Sequence, residues 1–350
     1  MNIRVSIIGA TGYTGVELIR ILSRHPQVQI SQLISETYKD QEVAKVFPHL
    51  ANIVVGNFSS LDITQIADTS DIVFLALPHT KGIAFAAELL AAKVKVVDLS
   101  ADLRLNNGVT YEKWYQHPPA SEKLLQTAVY GLAEIGLRKQ IATASLIANP
   151  GCYPTATILA LAPLLVNRSL DLDSGPLIID AKSGVSGAGR SLNLATHFCE
   201  VSNSFTAYQV AGVHRHIPEI EQELSKLAAQ PLIIQFTPHL VPMPRGLMVT
   251  AYCKLKSMIS IEEIKDIFDE YYRDCYFIRI STNGRPTTKS VAGSNYCDIS
   301  LHLDVRTGYL VVVSAIDNLL KGASSQAVQN MNLMYGLAEN MGLEHIAVYP

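Results

Sequence analysis

The chain has 350 residues, of which 48% are hydrophobic and 17% charged, and its formal net charge is -3. That is enough apolar surface for two full cores, and the basic residues are scattered rather than run together. The balance excludes the electrostatic footprint of a nucleic-acid or anionic-membrane binder and leaves small molecules as the expected ligands. Five widely spaced cysteines, Cys152, Cys199, Cys253, Cys275 and Cys297, give neither a disulfide framework nor a CxxC metal pattern. A reducing cytoplasm is therefore expected, and Met1 to Val5 runs straight into a strand, with no room for a secretory signal.

In chain order, Val5 to Ile8 reads as a buried parallel strand, Gly9 to Gly15 as a glycine turn, and Val16 to Leu22 as an amphipathic helix. Strands follow at Gln29 to Ile34, Ile72 to Ala76 and Val94 to Leu99, with a helix over Ile83 to Ala92 between the last two. Alternating strand and helix predicts an α/β domain on a doubly wound parallel sheet. A short apolar run, Ala144 to Ala148, precedes the turn Pro150-Gly151 and the lone thiol Cys152, and Pro154 suits the first helical turn beyond it. After Cys152 longer strands are expected at Leu177 to Ala181, Leu232 to Thr237, Gly246 to Lys254, Ile299 to Val305 and Leu310 to Ala315. They imply a second domain on a mixed or antiparallel sheet. A final helical run from Asn318 to Leu337, capped at Asp317-Asn318, is expected to return to the first domain. The predicted domains are thus 1–148, completed by 318–350, and 149–317.

The glycines at 9, 12 and 15 form G-x-x-G-x-x-G, a variant of the dinucleotide fingerprint, in the strand–turn–helix setting that lets backbone approach a pyrophosphate. Ser35 at the end of the second strand favours a 2′-phosphate and Glu36 a free ribose hydroxyl, so these residues leave NAD and NADP open. Cys152 at a helix start faces unpaired N–H groups and the positive end of the dipole, which favours thiolate and makes it a candidate nucleophile. A thiolate and a nicotinamide explain each other, because hydride reduces a thioester far more readily than a carboxylate. Such chemistry needs a proton shuttle and anion anchors. The run His214-Arg215-His216-Ile217-Pro218-Glu219 offers the first, and Lys182-Ser183-Gly184-Val185-Ser186-Gly187-Ala188-Gly189-Arg190 looks like an anion cradle. No third ligand accompanies the histidines, so no metal is expected. For Arg104 and Arg245 a salt bridge competes with a substrate contact.

These runs, with Val97 to Arg104, Tyr130-Gly131-Leu132, Asn149 to Thr155, Pro238 to Met243, Gly293 to Asp298 and Asp317 to Ala323, closely resemble the N-acetyl-gamma-glutamyl-phosphate reductase family over nearly the whole chain. Leu103 and Ala133 depart from the family pattern, where phenylalanine and proline are expected. The resemblance implies a Rossmann domain plus a semialdehyde-dehydrogenase-like α/β domain, NADPH as cofactor, and reduction of N-acetyl-glutamyl 5-phosphate to the 5-semialdehyde in arginine biosynthesis. It implies Cys152 as nucleophile, His216 as proton shuttle and Glu219 as the group that orients His216. His214, Tyr208, Arg104, Ser183 and Arg190 are the implied substrate contacts. Gly9, Thr11, Gly12, Tyr13, Thr14, Gly15, Ser35, Ser186, Gly187 and Asn318 are the implied cofactor contacts. A homodimer or homotetramer is implied as well. The nearest alternative is an aminoadipate-type acyl-phosphate reductase of lysine biosynthesis, one methylene away in substrate. A non-catalytic NADP-binding sensor is a remote one, disfavoured by the presence of both Cys152 and His216.

Overall fold

A computed structural model describes residues 2–349 and divides them into two units. The first holds residues up to Pro150 together with Ala323–Glu344, and the second holds Gly151–Gly322 with residues 345–349.

The first unit is built on six strands: β1 (Ile3–Ile8), β2 (Val28–Ile34), β3 (Ile72–Leu75), β4 (Lys95–Asp98), β5 (Ala128–Tyr130) and β6 (Leu146–Ala148). All pair in parallel, in the order β2-β1-β3-β4-β6-β5. β1, β3 and β4 are almost wholly buried, which is why they read as continuous Val/Ile/Leu runs rather than alternating ones. β5 was not legible as a strand: it is three residues long and pairs only with β6. Between β1 and β2 the helix Tyr13–Leu22 buries Leu18, Ile19, Ile21 and Leu22.

The helix expected from Asn318 begins only at Ser324 and ends at Met334. Residues 318–323 instead form turns, because Asp317 accepts the N–H groups of Leu319 and Leu320 at 2.9 and 3.2 Å and the chain folds tightly around it. The helix Ser324–Met334 packs Ala327, Val328, Met331 and Met334 in the core, and most of its remaining residues are polar yet buried, several of them hydrogen-bonded. Gln326 and Asn330 donate to the Gly131 carbonyl at 3.0 and 2.9 Å, Asn330 also donates to the Asn149 side chain at 3.1 Å, and Ser324 donates to the Thr14 carbonyl at 2.9 Å. Beyond it, residues 335–349 carry no regular helix, so the run expected to reach Leu337 stops at Met334.

The second unit carries a seven-stranded mixed sheet: β7 (Leu177–Gly184), β8 (Thr206–Ala207), β9 (Ile234–Val241), β10 (Leu247–Lys254), β11 (Ile278–Ser281), β12 (Cys297–Asp304) and β13 (Tyr309–Ile316), in the order β11-β12-β13-β10-β7-β9-β8. One face is covered by the helix Cys152–Val166, which packs on β10 and β13 and against the helix Ile217–Ala228. That first helix is apolar all round and accordingly buried on nearly every side. Pro163 lies inside it and has no N–H for the Leu159 carbonyl four residues back. The Tyr272 hydroxyl donates to that carbonyl instead, at 2.6 Å. The opposite sheet face, with Ile178, Tyr252, Val311 and Val313, is at least partly exposed. The helix Ile261–Tyr271 was missed in sequence, although Ser260 and Glu263 form a capping box that announces it.

Candidate active site

Cys152 is the first residue of its helix, and the cap position is Gly151, which brings no side chain to the first-turn N–H groups. The turn is held from below. Glu219, almost fully buried, accepts the Gly151 N–H at 2.9 Å. This contact with the nucleophile's own turn comes in addition to the role toward His216 that the resemblance implies for Glu219. Thr155 closes the first turn from above, its hydroxyl donating to the Gly151 carbonyl at 2.9 Å. Gly322 completes the surround, since a Cβ added there would lie 2.7 Å from the Cys152 Cβ and 2.5 Å from the Asn318 carbonyl oxygen.

An aromatic and imidazole cluster adjoins the thiol through its neighbour Tyr153. The Tyr153 ring lies edge-on to His214 and His216, with centroids 5.6 and 5.9 Å apart, and the two imidazoles are 5.0 Å from each other. His216 sits at the cap of the helix Ile217–Ala228, with Pro218 in its first turn. Its backbone N–H donates to His214 Nδ1 at 3.1 Å. Burial, reinforced by the Arg215 charge, pushes the His214 pKa down to about 4, so the ring is neutral near pH 7. With Nδ1 accepting, the proton is on Nε2 and His214 is a hydrogen-bond donor.

Tyr208 donates to the Tyr153 hydroxyl at 3.2 Å, and Tyr153 to the His239 carbonyl at 3.3 Å. Burial raises both phenols, that of Tyr208 to about 12, and the nearby Cys152 adds to each shift. Both therefore remain O–H donors at neutral pH. The structure thus brings Tyr208, His214 and His216 to Tyr153, next to Cys152 in the chain, with Glu219 on the Gly151 N–H.

The expected anion cradle is partly strand. β7 runs through Ser183 to Gly184, and Val185–Ala188 is a 3-10 turn. Backbone bonds from Gly184, Val185 and Ser186 to the carbonyls of Gly246, Met243 and Pro244 tie this turn down. Asn318 bridges it to the residue before β10, accepting the Gly246 N–H at 2.8 Å and donating to the Ser186 hydroxyl at 2.9 Å. Gly187 approaches the Ser183 hydroxyl, and Arg190 stands exposed at the end of the loop. Arg245 pairs with the buried Asp317 at 3.6 Å.

In the first unit the glycine turn sits at the carboxyl end of β1. Gly9 has φ +86°, and a Cβ there would come within 2.3 Å of the Ala76 carbonyl oxygen, so only glycine lets the loops after β1 and β3 meet. Gly12 caps the helix Tyr13–Leu22 without a side chain, leaving its first-turn N–H groups, including those of Tyr13, Thr14 and Gly15, at a bare helix start. The Thr11 and Ser35 hydroxyls are 3.0 Å apart. Glu36 is committed elsewhere, accepting the Leu61 N–H at 2.7 Å. β1 lies between β2 and β3, and such a reversal in an open parallel sheet is where dinucleotides bind. The turn therefore fits a nicotinamide dinucleotide. Arg104, expected to touch substrate, is buried, with its guanidinium donating to the backbone carbonyls of Asn149 at 2.7 Å and Leu99 at 2.8 Å. It braces the strand end that leads to Pro150. Among the described residues no group of three His, Cys, Asp or Glu is placed to hold a metal ion, and no helix is long and apolar enough to cross a membrane.

A glycine-cradled parallel sheet and a cysteine at a helix start define the semialdehyde dehydrogenase class of nicotinamide-dependent oxidoreductases. Family models described as semialdehyde dehydrogenase, NAD binding domain and semialdehyde dehydrogenase, dimerisation domain match residues 4–144 and 152–318. Among solved structures, aspartate semialdehyde dehydrogenase II of Vibrio cholerae superposes with TM-score 0.73 at 16% identity, over 96% of this chain and 99% of that one. The Candida albicans aspartate semialdehyde dehydrogenase with NADP gives 0.69 at 14%, over 97% and 99%. The curated relatives are much nearer in sequence. N-acetyl-gamma-glutamyl-phosphate reductase of Pelotomaculum thermopropionicum is 51% identical over the full length of both chains, and that of Brevibacillus brevis 48% over 99% of this chain and 100% of its own. The chain belongs to the N-acetyl-gamma-glutamyl-phosphate reductase family, and it is an oxidoreductase.

Proposed function

We propose that the enzyme reduces N-acetyl-L-glutamyl 5-phosphate to N-acetyl-L-glutamate 5-semialdehyde with NADPH, releasing phosphate, through a thioester on Cys152, as a step of arginine biosynthesis. The reading is carried by the thiol at the first helical position beside the His214–His216 pair, in a chain whose full-length relatives bear the reductase name.

The Cys152 thiolate attacks the acyl-phosphate carbon; a C–S bond forms, the C–O bond to phosphate breaks, and phosphate leaves. First-turn N–H groups without an intrahelical acceptor stabilise the oxyanion that develops on the way. When bound, a reduced nicotinamide dinucleotide supplies the hydride that converts the thioester to a hemithioacetal. His216 gives a proton to the oxygen as the hemithioacetal forms and takes it back as the C–S bond breaks, so the aldehyde departs and the thiolate is regenerated. His214, neutral with its proton on Nε2, donates a hydrogen bond that orients the acyl group, and Tyr208, a phenol held protonated, is a second donor once substrate takes the place of its bond to the Tyr153 hydroxyl. Ser183 and Arg190 are the proposed contacts for substrate oxygens. Arg104 serves through the backbone it braces rather than by touching substrate.

NADP is favoured over NAD because the one acidic group at the end of β2, Glu36, is turned to the Leu61 N–H, while Ser35 and Thr11 offer hydroxyls to a 2′-phosphate. Ser186, Gly187 and Asn318 are the second unit's proposed cofactor contacts. The partly exposed sheet face of that unit is the proposed surface for a homo-oligomer, and the cytoplasm the proposed compartment.

The reverse reaction tests the reading. N-acetyl-glutamate semialdehyde, phosphate and NADP should generate NADPH only when phosphate is present. A much faster rate with the aminoadipate homologue would move the assignment to lysine biosynthesis, and silence with both aldehydes would overturn it.

A further inference from the structure

The turn that follows β3 is strained, and a single carboxylate holds it. Thr80 has φ +74°, in the left-handed region that β-branched residues rarely enter. Its N–H donates to the two oxygens of Asp102 at 2.7 and 2.9 Å. The Gly82 N–H approaches the same carboxylate at 3.4 Å, and the Tyr111 hydroxyl donates to it at 2.7 Å. Asp102 has no exposed surface, and besides these donors the buried Asp98 carboxyl lies near enough to act on it electrostatically. The residue before Thr80 is fixed by the same segment, His79 Nδ1 accepting the Ala101 N–H at 3.0 Å.

The strain serves no packing need of the turn's own, since His79 and Thr80 are half-exposed and Pro78 and Lys81 are exposed. Its position is informative. The turn lies against the glycine cradle, because Ala76 and Leu77 are the groups that a Cβ at Gly9 would meet. β2, with Ser35 at its end, flanks β1 on one side and β3 flanks it on the other. If the adenosine ribose is read at Ser35 and the pyrophosphate lies over Gly9 to Gly15, the turn after β3 faces the remaining half of the dinucleotide.

We infer that Asp102 is a positioning residue for the cofactor: it holds the Pro78–Gly82 turn in the strained shape that seats the nicotinamide half. The inference rests on the dinucleotide reading above. Asp102 does not touch the cofactor; it acts through Thr80 and His79.

The test measures fluorescence-detected binding of NADPH, and of adenosine 2′,5′-bisphosphate, which carries only the adenine half. Wild type, Asp102→Asn, Thr80→Gly and the double variant are compared, each checked for a cooperative melt. Asp102→Asn should weaken NADPH by about ten-fold or more while leaving the bisphosphate within about two-fold. Thr80→Gly in the Asp102→Asn background should return NADPH binding to within about three-fold of wild type, because glycine adopts φ +74° without strain. In turnover assays the Asp102→Asn defect should appear in KM for NADPH and not in kcat. Unchanged NADPH binding in Asp102→Asn, parallel loss of both ligands, or absence of rescue by Thr80→Gly would each overturn the inference. Wild-type protein that binds neither ligand would overturn the dinucleotide reading itself, and the inference with it.

Discussion

Glu219 holds Gly151 across 68 residues of sequence, its carboxylate accepting at 2.9 Å the N–H that immediately precedes the nucleophile. Removing that acceptor strands a buried donor, at a cost of about 1–3 kcal/mol, and frees the turn that aims Cys152. Glu219→Ala should therefore lower kcat about 100-fold and also lower the melting temperature, whereas Glu219→Gln, which keeps an oxygen for Gly151, should recover most of the stability. Equal stability losses in the two variants would show that the Gly151 bond is not what the carboxylate provides.

Gly322 stands where any side chain would press on the thiol's own Cβ at 2.7 Å. Gly322→Ala must push either the Cys152 turn or the Asn318 backbone aside, an overpacking that costs about 1–3 kcal/mol. The expected outcome is a large fall in kcat and slower alkylation of Cys152 by iodoacetamide. A variant alkylated and turning over at wild-type rates would mean the space is not needed.

His214 gives the stability a predictable acid limb. Its pKa is about 4 in the folded protein and 6.5 when exposed, so the unfolded chain binds more protons between those values. Stability from this group is fully present above about pH 6.5 and is lost as pH falls toward about 4. His25, buried and likewise shifted down, acts in the same direction. Urea midpoints measured from pH 8 to pH 4.5 should fall steadily below pH 6.5 in wild type and less steeply in His214→Asn, with the His25 share remaining. A midpoint in the variant that tracks wild type throughout would contradict a neutral, buried His214.

What was legible in the sequence is what depends on neighbours in the chain. The strand, glycine turn and helix from Ile3 to Leu22 are written in consecutive residues, and so is the thiol at a helix start after Pro150-Gly151. The partners that fix those elements come from far away and leave no local mark. Asp102 reaching Thr80, Glu219 reaching Gly151 and Gly322 facing Cys152 are tertiary facts. Arg104 shows the converse. A charged residue in a functional-looking run donates to the Leu99 and Asn149 carbonyls, a tertiary use that nothing in composition separates from a substrate contact. The late start of the helix at Ser324 has the same origin, since Asp317 spends its carboxylate on the turn at 319–320 rather than on a helix cap.

Asn318 joins two segments through one amide, accepting from Gly246 and donating to Ser186. Asn318→Ala should destabilise the protein by about 1–3 kcal/mol, because the buried Gly246 N–H loses its acceptor. It should also raise KM for NADPH by loosening the 185–188 turn, while Asn318→Asp should keep the Gly246 bond and lose only the donation to Ser186. Hydrogen exchange at Gly246, protected in wild type and Asn318→Asp but fast in Asn318→Ala, would check the assignment; equal protection in all three would contradict it.

The most direct measurement is the mass of the protein after brief exposure to N-acetyl-glutamyl phosphate with no cofactor present. The account predicts an added mass of one N-acetyl-glutamyl group on Cys152, released by hydroxylamine, discharged as aldehyde on addition of NADPH, and absent in Cys152→Ser. A wild-type enzyme that turns over yet never carries the acyl group, or a Cys152→Ser variant with unimpaired turnover, would contradict covalent catalysis at Cys152.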